Sequence, residues 1–316
     1  MFFVQITNLH PKQFNYLSEA LFADKLHHTF IFHGPSGGGK FIFALFLARF
    51  IQCEDKNKKE KPCGECANCK VSKDGFVIDT YTINKGKEEG ILIDDIREMQ
   101  KIVNLSASKN NYKIFIINNS QNISREARET LLKTLEEPPV KSLIILITNE
   151  RRSLPKTILS RCPSIFFSRP NTKSIKEFLK KDIPDHIIGV YFNNIEKLQK
   201  IDEDLLEEER EKYQKLIEEI KIIFGDSLYQ KMSLARETSL NKEPIEKVEN
   251  WLSLVYNLFL IKMDLLKIED KHLNCLEKEI NYDKILAVLE SLVGLVDNLK
   301  LNLSKKVLFE DFFLNI

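Results

Sequence analysis

The chain has almost no net charge. Its 316 residues carry 47 lysines and arginines against 46 aspartates and glutamates, a formal charge of +1. A protein that grips nucleic acid through its overall field is usually far more basic, so any such contact is local or shared with partners. Long apolar runs are missing as well. Nothing approaches the run of about 18 apolar residues that a membrane-spanning helix needs. The opening MFFVQITNLH lacks the basic start and extended apolar stretch of a secretory leader, and the expected compartment is the cytoplasm. No internal repeat or low-complexity tract stands out. Present instead is a 43% hydrophobic content, enough to bury a core and too high for a disordered chain. The length suits two or three domains.

Apolar patterning divides the chain. Residues 11–23 read as an amphipathic helix opened by Pro11, tolerated in a first turn. Short apolar runs at 29–33 (TFIFH), 77–83, 113–117 (KIFII), 143–148 (LIILIT) and 164–167 (SIFF) read as strands. Helical stretches at 39–51, 93–105 and 124–137 separate them, the last closed by Pro138-Pro139. Apolar strands alternating with helices predict a parallel sheet covered on both faces. Beyond Arg169-Pro170 strand signals nearly vanish. Residues 173–205 read as a small helical unit and 204–224 as a long charged helix ending at Gly225. Stretches such as VENWLSLVYNLFLIKMDLL and YDKILAVLESLVGLVDNLKLNL show apolar residues at three-to-four spacing. Their broad apolar faces fit either an internal helical core or an oligomerisation surface.

The six cysteines are not spread as a secreted disulfide framework would spread them. Four fall together: Cys53, Cys63, Cys66 and Cys69. Two overlapping C-x-x-C steps offer thiolates from tight turns, the donor set of a structural zinc site. Four thiolates leave no open position, so a catalytic zinc is not expected. Free thiols on a surface loop, or a redox pair, are the plainer alternatives. Cys162 and Cys275 stand apart and read as buried thiols. The basic run at 56–61 reads as a solvated insert beside the cluster.

Directly after the first strand comes Gly34-Pro35-Ser36-Gly37-Gly38-Gly39-Lys40-Phe41, which fits G-x-x-x-x-G-K. Glycines let backbone N–H groups curl around phosphate oxygens at a helix N-terminus, and Lys40 would reach the β/γ-phosphates. Two ligands are absent. The position after the lysine should carry a Ser or Thr hydroxyl for Mg²⁺, and Phe41 has none. The third strand should end in acidic residues that support Mg²⁺ and polarise water, and Asn118-Asn119 stand there. Neutral amides do neither. Two losses in one direction argue against hydrolysis while leaving nucleotide binding through Gly34, Gly37, Gly38, Gly39 and Lys40 open, with ATP or ADP as candidates.

The series EARETLLKTLEEPP (126–139), LIILITN (143–149) and LPKTILSRC (154–162) resembles the signature of bacterial clamp-loader AAA+ subunits of DNA polymerase III. The C-x9-C-x2-C-x2-C insert resembles that family's zinc module, and LSKKVLFEDFFLNI its terminal helix. The resemblance is strong over the first domain and weak beyond it. It implies an α/β P-loop (AAA+) domain over 1–169 carrying the zinc insert (53–69), a small helical lid (170–205) and an all-α collar (206–316). It implies assembly with clamp-loader delta and gamma/tau subunits, and contact with the sliding clamp and primer-template DNA inside that assembly. Degenerate nucleotide motifs beside an intact Ser160-Arg161-Cys162 resemble the delta-prime role more than the gamma/tau role. In that family the motif's arginine reaches a neighbour's ATP, so Arg161 is the expected arginine finger. Its plain alternative is an ordinary helix-end arginine. Two other functional classes stay open: an active gamma/tau-like ATPase, and a zinc-stabilised DNA-binding protein with a vestigial P-loop. Arg97 and Lys101 could touch DNA, although a helix of mixed charge is more often simply solvated.

Overall fold

The computed structural model describes residues 6–35, 37–55, 61–72, 77–83, 90–104, 112–139, 141–168, 170, 172–181, 183–190, 198, 201, 203–265, 270–299, 301 and 303–316. Most of the basic run at 56–61 and the end of the helix expected at 93–105 lie outside them. So does much of the segment expected as a lid. The chain forms two compact units, Met1–Phe178 and Leu179–Ile316.

In the first unit, α1 (Ile6–Leu9) and α2 (Pro11–Phe22) precede β1 (Thr29–His33) and α3 (Lys40–Gln52). Then come α4 (Ala67–Val71), β2 (Thr80–Ile83), α5 (Ile93–Asn104), β3 (Lys113–Ile117), α6 (Arg125–Glu136), β4 (Ser142–Thr148), α7 (Lys156–Leu159), β5 (Ser164–Phe166) and α8 (Thr172–Leu179). The strands form one five-stranded sheet in the order β2-β3-β4-β1-β5, and every pairing is parallel. Apolar content sets the order: β3 and β4 are buried at every position, as central strands covered on both faces must be. The edge strands β2 and β5 expose part of their length.

Successive residues of β1 face opposite layers. Ile31 joins Phe115, Ile117, Ile144 and Leu146 under α5 and α6, which contribute Ile96, Met99, Ala127, Leu131 and Leu135. On the other face Phe32 meets Phe43 of α3 at 5.9 Å between ring centroids, and Phe167 at 4.9 Å. Phe14 of α2 meets Phe46 of α3 at 5.7 Å. Each such aromatic pair contributes roughly 0.5–1.5 kcal/mol beyond its area burial. Ser124 caps α6, its hydroxyl accepting from the Ala127 N–H.

The strand expected at 77–83 begins only at Thr80. Asp79 adopts φ +51°, and the Thr80 N–H donates to the Val77 carbonyl at 3.1 Å, so the first three residues turn before pairing begins.

The second unit is helical throughout its described residues, which contain no strand. Its helices are Asp185–Val190, Glu203–Phe224, Leu228–Ser239, Pro244–Lys262, Lys271–Glu279, Tyr282–Leu299 and Lys305–Asn315. Trp251 anchors the core against Phe309 and Phe313 at 6.4 and 6.1 Å, and its indole N–H donates to Glu219 at 2.6 Å. Cys162 is buried as expected, but Cys275 is exposed. Leu273 and Leu276 take the inward positions of its helix, leaving Cys275 on the outer face beside Glu279.

Candidate functional site

The glycine-rich loop joins β1 to α3 at the carboxyl edge of the sheet, where open parallel sheets bind ligands. Gly34, Gly37 and Gly39 have φ of +138°, +75° and +72°, which glycine adopts at little cost. At Gly34 space is as limiting as conformation: a Cβ there would overlap the Phe167 carbonyl oxygen and press on the Phe166 ring. Ser36 lies outside the described residues.

Lys40 is buried at the first position of α3. Its ammonium donates to the Gly34 and Pro35 carbonyls, both at 2.7 Å, and to the Asn149 side-chain oxygen at 3.2 Å. The lysine expected to reach a phosphate is therefore drawn onto its own loop. Burial pushes its pKa down to about 8, which still leaves it cationic at pH 7. A second tie comes from His10, buried between Phe43 and Phe167. Its Nε2 lies 2.5 Å from the Gly38 carbonyl oxygen. Burial above all, against the hydrogen bond to Gly38, lowers its pKa to about 4. The ring is therefore neutral at pH 7, with Nε2–H as donor. His33, at the end of β1, is also held below its ordinary value, by burial first and then by Arg151 and Lys40.

Neither His10 nor Asn149 was singled out by the sequence reading. Asn149 carried a signal, as a polar residue just past a buried strand at the ligand edge. His10, 28 positions from Gly38 in the chain, carried none.

Beyond β3, Asn118 and Asn119 are half-buried. Asn119 takes φ +51° before the 3-10 turn Ser120–Asn122. No carboxylate stands at these two positions.

The four clustered cysteines do come together. Cys53 closes α3 and Cys66 caps α4, a short helix that carries Cys69 and is absent from the sequence expectations. One sulfur from each of Cys53, Cys63, Cys66 and Cys69 lies within 4.8 Å of all the others. A tetrahedral ion with metal–sulfur bonds of about 2.3 Å sets sulfurs about 3.8 Å apart, so a small contraction completes the site. Three backbone N–H groups already point at sulfur, those of Cys63, Cys66 and Cys69 at Cys53, Cys63 and Cys66, each at 3.4 Å. The N–H groups of Cys66 and Glu65 hold the Cys63 thiol down to about 7, whereas burial pushes Cys69 up to about 12. Packing four thiols this closely disfavours four thiolates unless a cation neutralises them. The donor set fits a metal ion.

Arg161 follows α7 and lies apart from these groups in sequence. Its Nη2 is 2.6 Å from Glu136 Oε1, and Nη1 donates to the Thr157 carbonyl at 2.9 Å. The side chain is 37% exposed. Arg97 forms an exposed ion pair with Asp94 at 3.4 Å.

A parallel sheet in this order, with a glycine-rich loop between its second-from-edge strand and a following helix, defines a P-loop α/β domain of the AAA+ class. Its nucleotide ligands are incomplete. A family model described as DNA polymerase III, delta subunit, matches residues 9–171, and the chain belongs to that family. Among curated relatives, DNA polymerase III subunit tau of Bacillus subtilis is 35% identical over 180 residues, covering 57% of this chain and 31% of its own length. Subunit delta' of the same organism is 28% identical over 192 residues, covering 60% of this chain and 57% of its own. The matches thus reach well under two thirds of these relatives. A solved gamma subunit-related protein of DNA polymerase III from Thermotoga maritima is 20% identical, with a TM-score of 0.47 over 94% of this chain and 97% of its own.

Proposed function

We propose that the chain is a clamp-loader subunit of delta-prime type: a stator that hydrolyses no ATP itself and supplies Arg161 to a neighbouring ATPase. It would act in the cytoplasm with delta and gamma/tau subunits, helping to place the sliding clamp on primer-template DNA. Residues 170–205 would serve as its lid and 206–316 as its collar, and the four cysteines would hold a structural zinc.

The observation that carries this reading is the state of the loop. Lys40 is engaged by three oxygens of its own chain, while Phe41 and Asn118-Asn119 replace the groups that would hold and offset Mg²⁺. Arg161, in contrast, keeps a third of its side chain open to a neighbour. An arginine delivered in trans accelerates the site it serves by about 10³ to 10⁵ through stabilisation of transition-state charge.

The chain should co-purify with delta and gamma/tau subunits and show no turnover alone. Arg161→Ala should leave folding and metal content intact and lower DNA- and clamp-stimulated ATP hydrolysis by the reconstituted loader. The drop is diluted by motor sites that keep their own fingers. Arg161→Lys should rescue only in part, because an ammonium lacks the planar fork of donors. Wild-type rates in a correctly assembled Arg161→Ala loader would refute the finger. The 35% identity to a tau subunit favours a motor as the competing reading. Turnover by the isolated chain that disappears in Lys40→Ala would establish it.

A further inference from the structure

We infer that Glu136 is a positioning residue for Arg161, an inference that rests on the finger reading above. Glu136 ends α6, whereas Arg161 follows α7 in a different part of the chain. Their side chains nevertheless meet at 2.6 Å, Oε1 to Nη2. Nη1 is held independently by the Thr157 carbonyl at 2.9 Å and Ser160 Oγ at 3.3 Å. The Ser160 hydroxyl itself donates to the same Thr157 carbonyl at 3.1 Å.

A guanidinium has five N–H donors in a fixed plane. These contacts engage Nη1 twice and Nη2 once. Among the described residues the Nε–H and the second Nη2 hydrogen have no partner. The plane is thus fixed from two nitrogens while two donors stay available for phosphate oxygens. The pair is too exposed, at 37% and 50%, to stabilise the fold appreciably. What it does is restrict a long side chain that would otherwise sample many rotamers. Rate is sensitive to such placement, since a 1 Å error at a catalytic group can cost about 100-fold.

The test uses the reconstituted loader with Glu136→Ala, Glu136→Gln and Arg161→Ala assayed side by side. Glu136→Ala should lower the kcat of stimulated ATP hydrolysis about 3- to 10-fold. That is less than a full misplacement costs, because the Thr157 carbonyl still holds Nη1. The KM for ATP, the melting temperature and subunit assembly should not change, which separates positioning from a structural role. Glu136→Gln keeps an acceptor oxygen at the same reach and should retain a kcat clearly above that of the alanine variant. Glu136→Ala turning over at or above the wild-type rate overturns the inference, and so does a glutamine variant as slow as alanine. If either happens while Arg161→Ala is slow, the finger stands and only the role of Glu136 fails. If Arg161→Ala is itself at the wild-type rate, the finger reading falls and this inference falls with it.

Discussion

His10 makes the first unit sensitive to acid. Its pKa is about 4 in the folded chain against an ordinary 6.5, because the ring is buried among aromatic side chains and a protonated imidazole there is poorly solvated. The sign follows from proton uptake. Between those two values the unfolded chain binds a proton that the folded chain refuses, so stability falls as pH falls. The contribution is whole above pH 6.5 and lost below about 4. A gap of this size corresponds to about 3 kcal/mol, a large fraction of the stability of a typical domain. Two measurements follow. The His10 ring proton resonances should titrate near pH 4 and stay flat through pH 6.5. Urea unfolding of wild type and His10→Gln, compared at equal pH and equal metal, should cancel the titration of all other groups. The wild type should be favoured at pH 7, and its advantage should shrink by about 3 kcal/mol on acidification to pH 4. Trp251, the single tryptophan, lies in the second unit, so its fluorescence reports the wrong half and far-UV circular dichroism is the suitable probe. A ring titrating near 6.5, or a stability difference independent of pH, would refute the reasoning.

Three further outcomes test the loop, a helix of the second unit and the cysteine cluster. Gly34→Ala should destabilise the first unit by about 3 kcal/mol or more, since it combines a strained φ with overlap on a backbone carbonyl. Gly294→Ala, on an open helical face with nothing within 4 Å, should instead stabilise the second unit by up to about 1 kcal/mol, visible as opposite shifts in denaturant midpoint. Purified chain should carry about one tightly held zinc, and Cys63→Ser should lose it while far-UV circular dichroism shows the sheet retained. Substoichiometric metal after expression with zinc would contradict that.

How much of this was legible depended on how local the cause was. β1, β3 and β4 could be read almost to the residue because burial on both faces demands continuous apolar runs; the similar run IKIIF at 220–224 is told apart by the long charged helix it ends. The long helices of the second unit were legible from spacing and from their stops, such as Gly225. The cluster of Cys53, Cys63, Cys66 and Cys69 was legible because its geometry is encoded over a few turns. Val77 to Asp79 were misread as strand because a single left-handed residue, Asp79, outweighs local β propensity. Cys275 was misread because a cysteine carries no signal of its own about which helix face it occupies. The pairings Lys40–Asn149 and Arg161–Glu136 could not be read, although Asn149 stands at a telling position past β4. They are contacts between residues brought together by the order of strands and by where α6 and α7 end.

The loop shows that residues of a ligand motif can also answer to packing. Gly34 fits the phosphate-binding pattern, yet its φ of +138° and the Phe167 carbonyl that a Cβ would overlap require glycine there on packing grounds as well. Lys40 fits the same pattern, yet its ammonium is spent on the Gly34 and Pro35 carbonyls and on Asn149. His10 secures the Gly38 carbonyl from the other side. The Lys40 ammonium and the Gly34, Pro35 and Gly38 carbonyls thus all have partners within the chain. Such a loop can keep its glycines and its lysine under purely structural demand after the Mg²⁺ ligands are gone. Under the proposed function, a P-loop signature with Phe41 and Asn118-Asn119 would answer to packing at the carboxyl edge of the sheet, and the chain's contribution to catalysis would lie with Arg161.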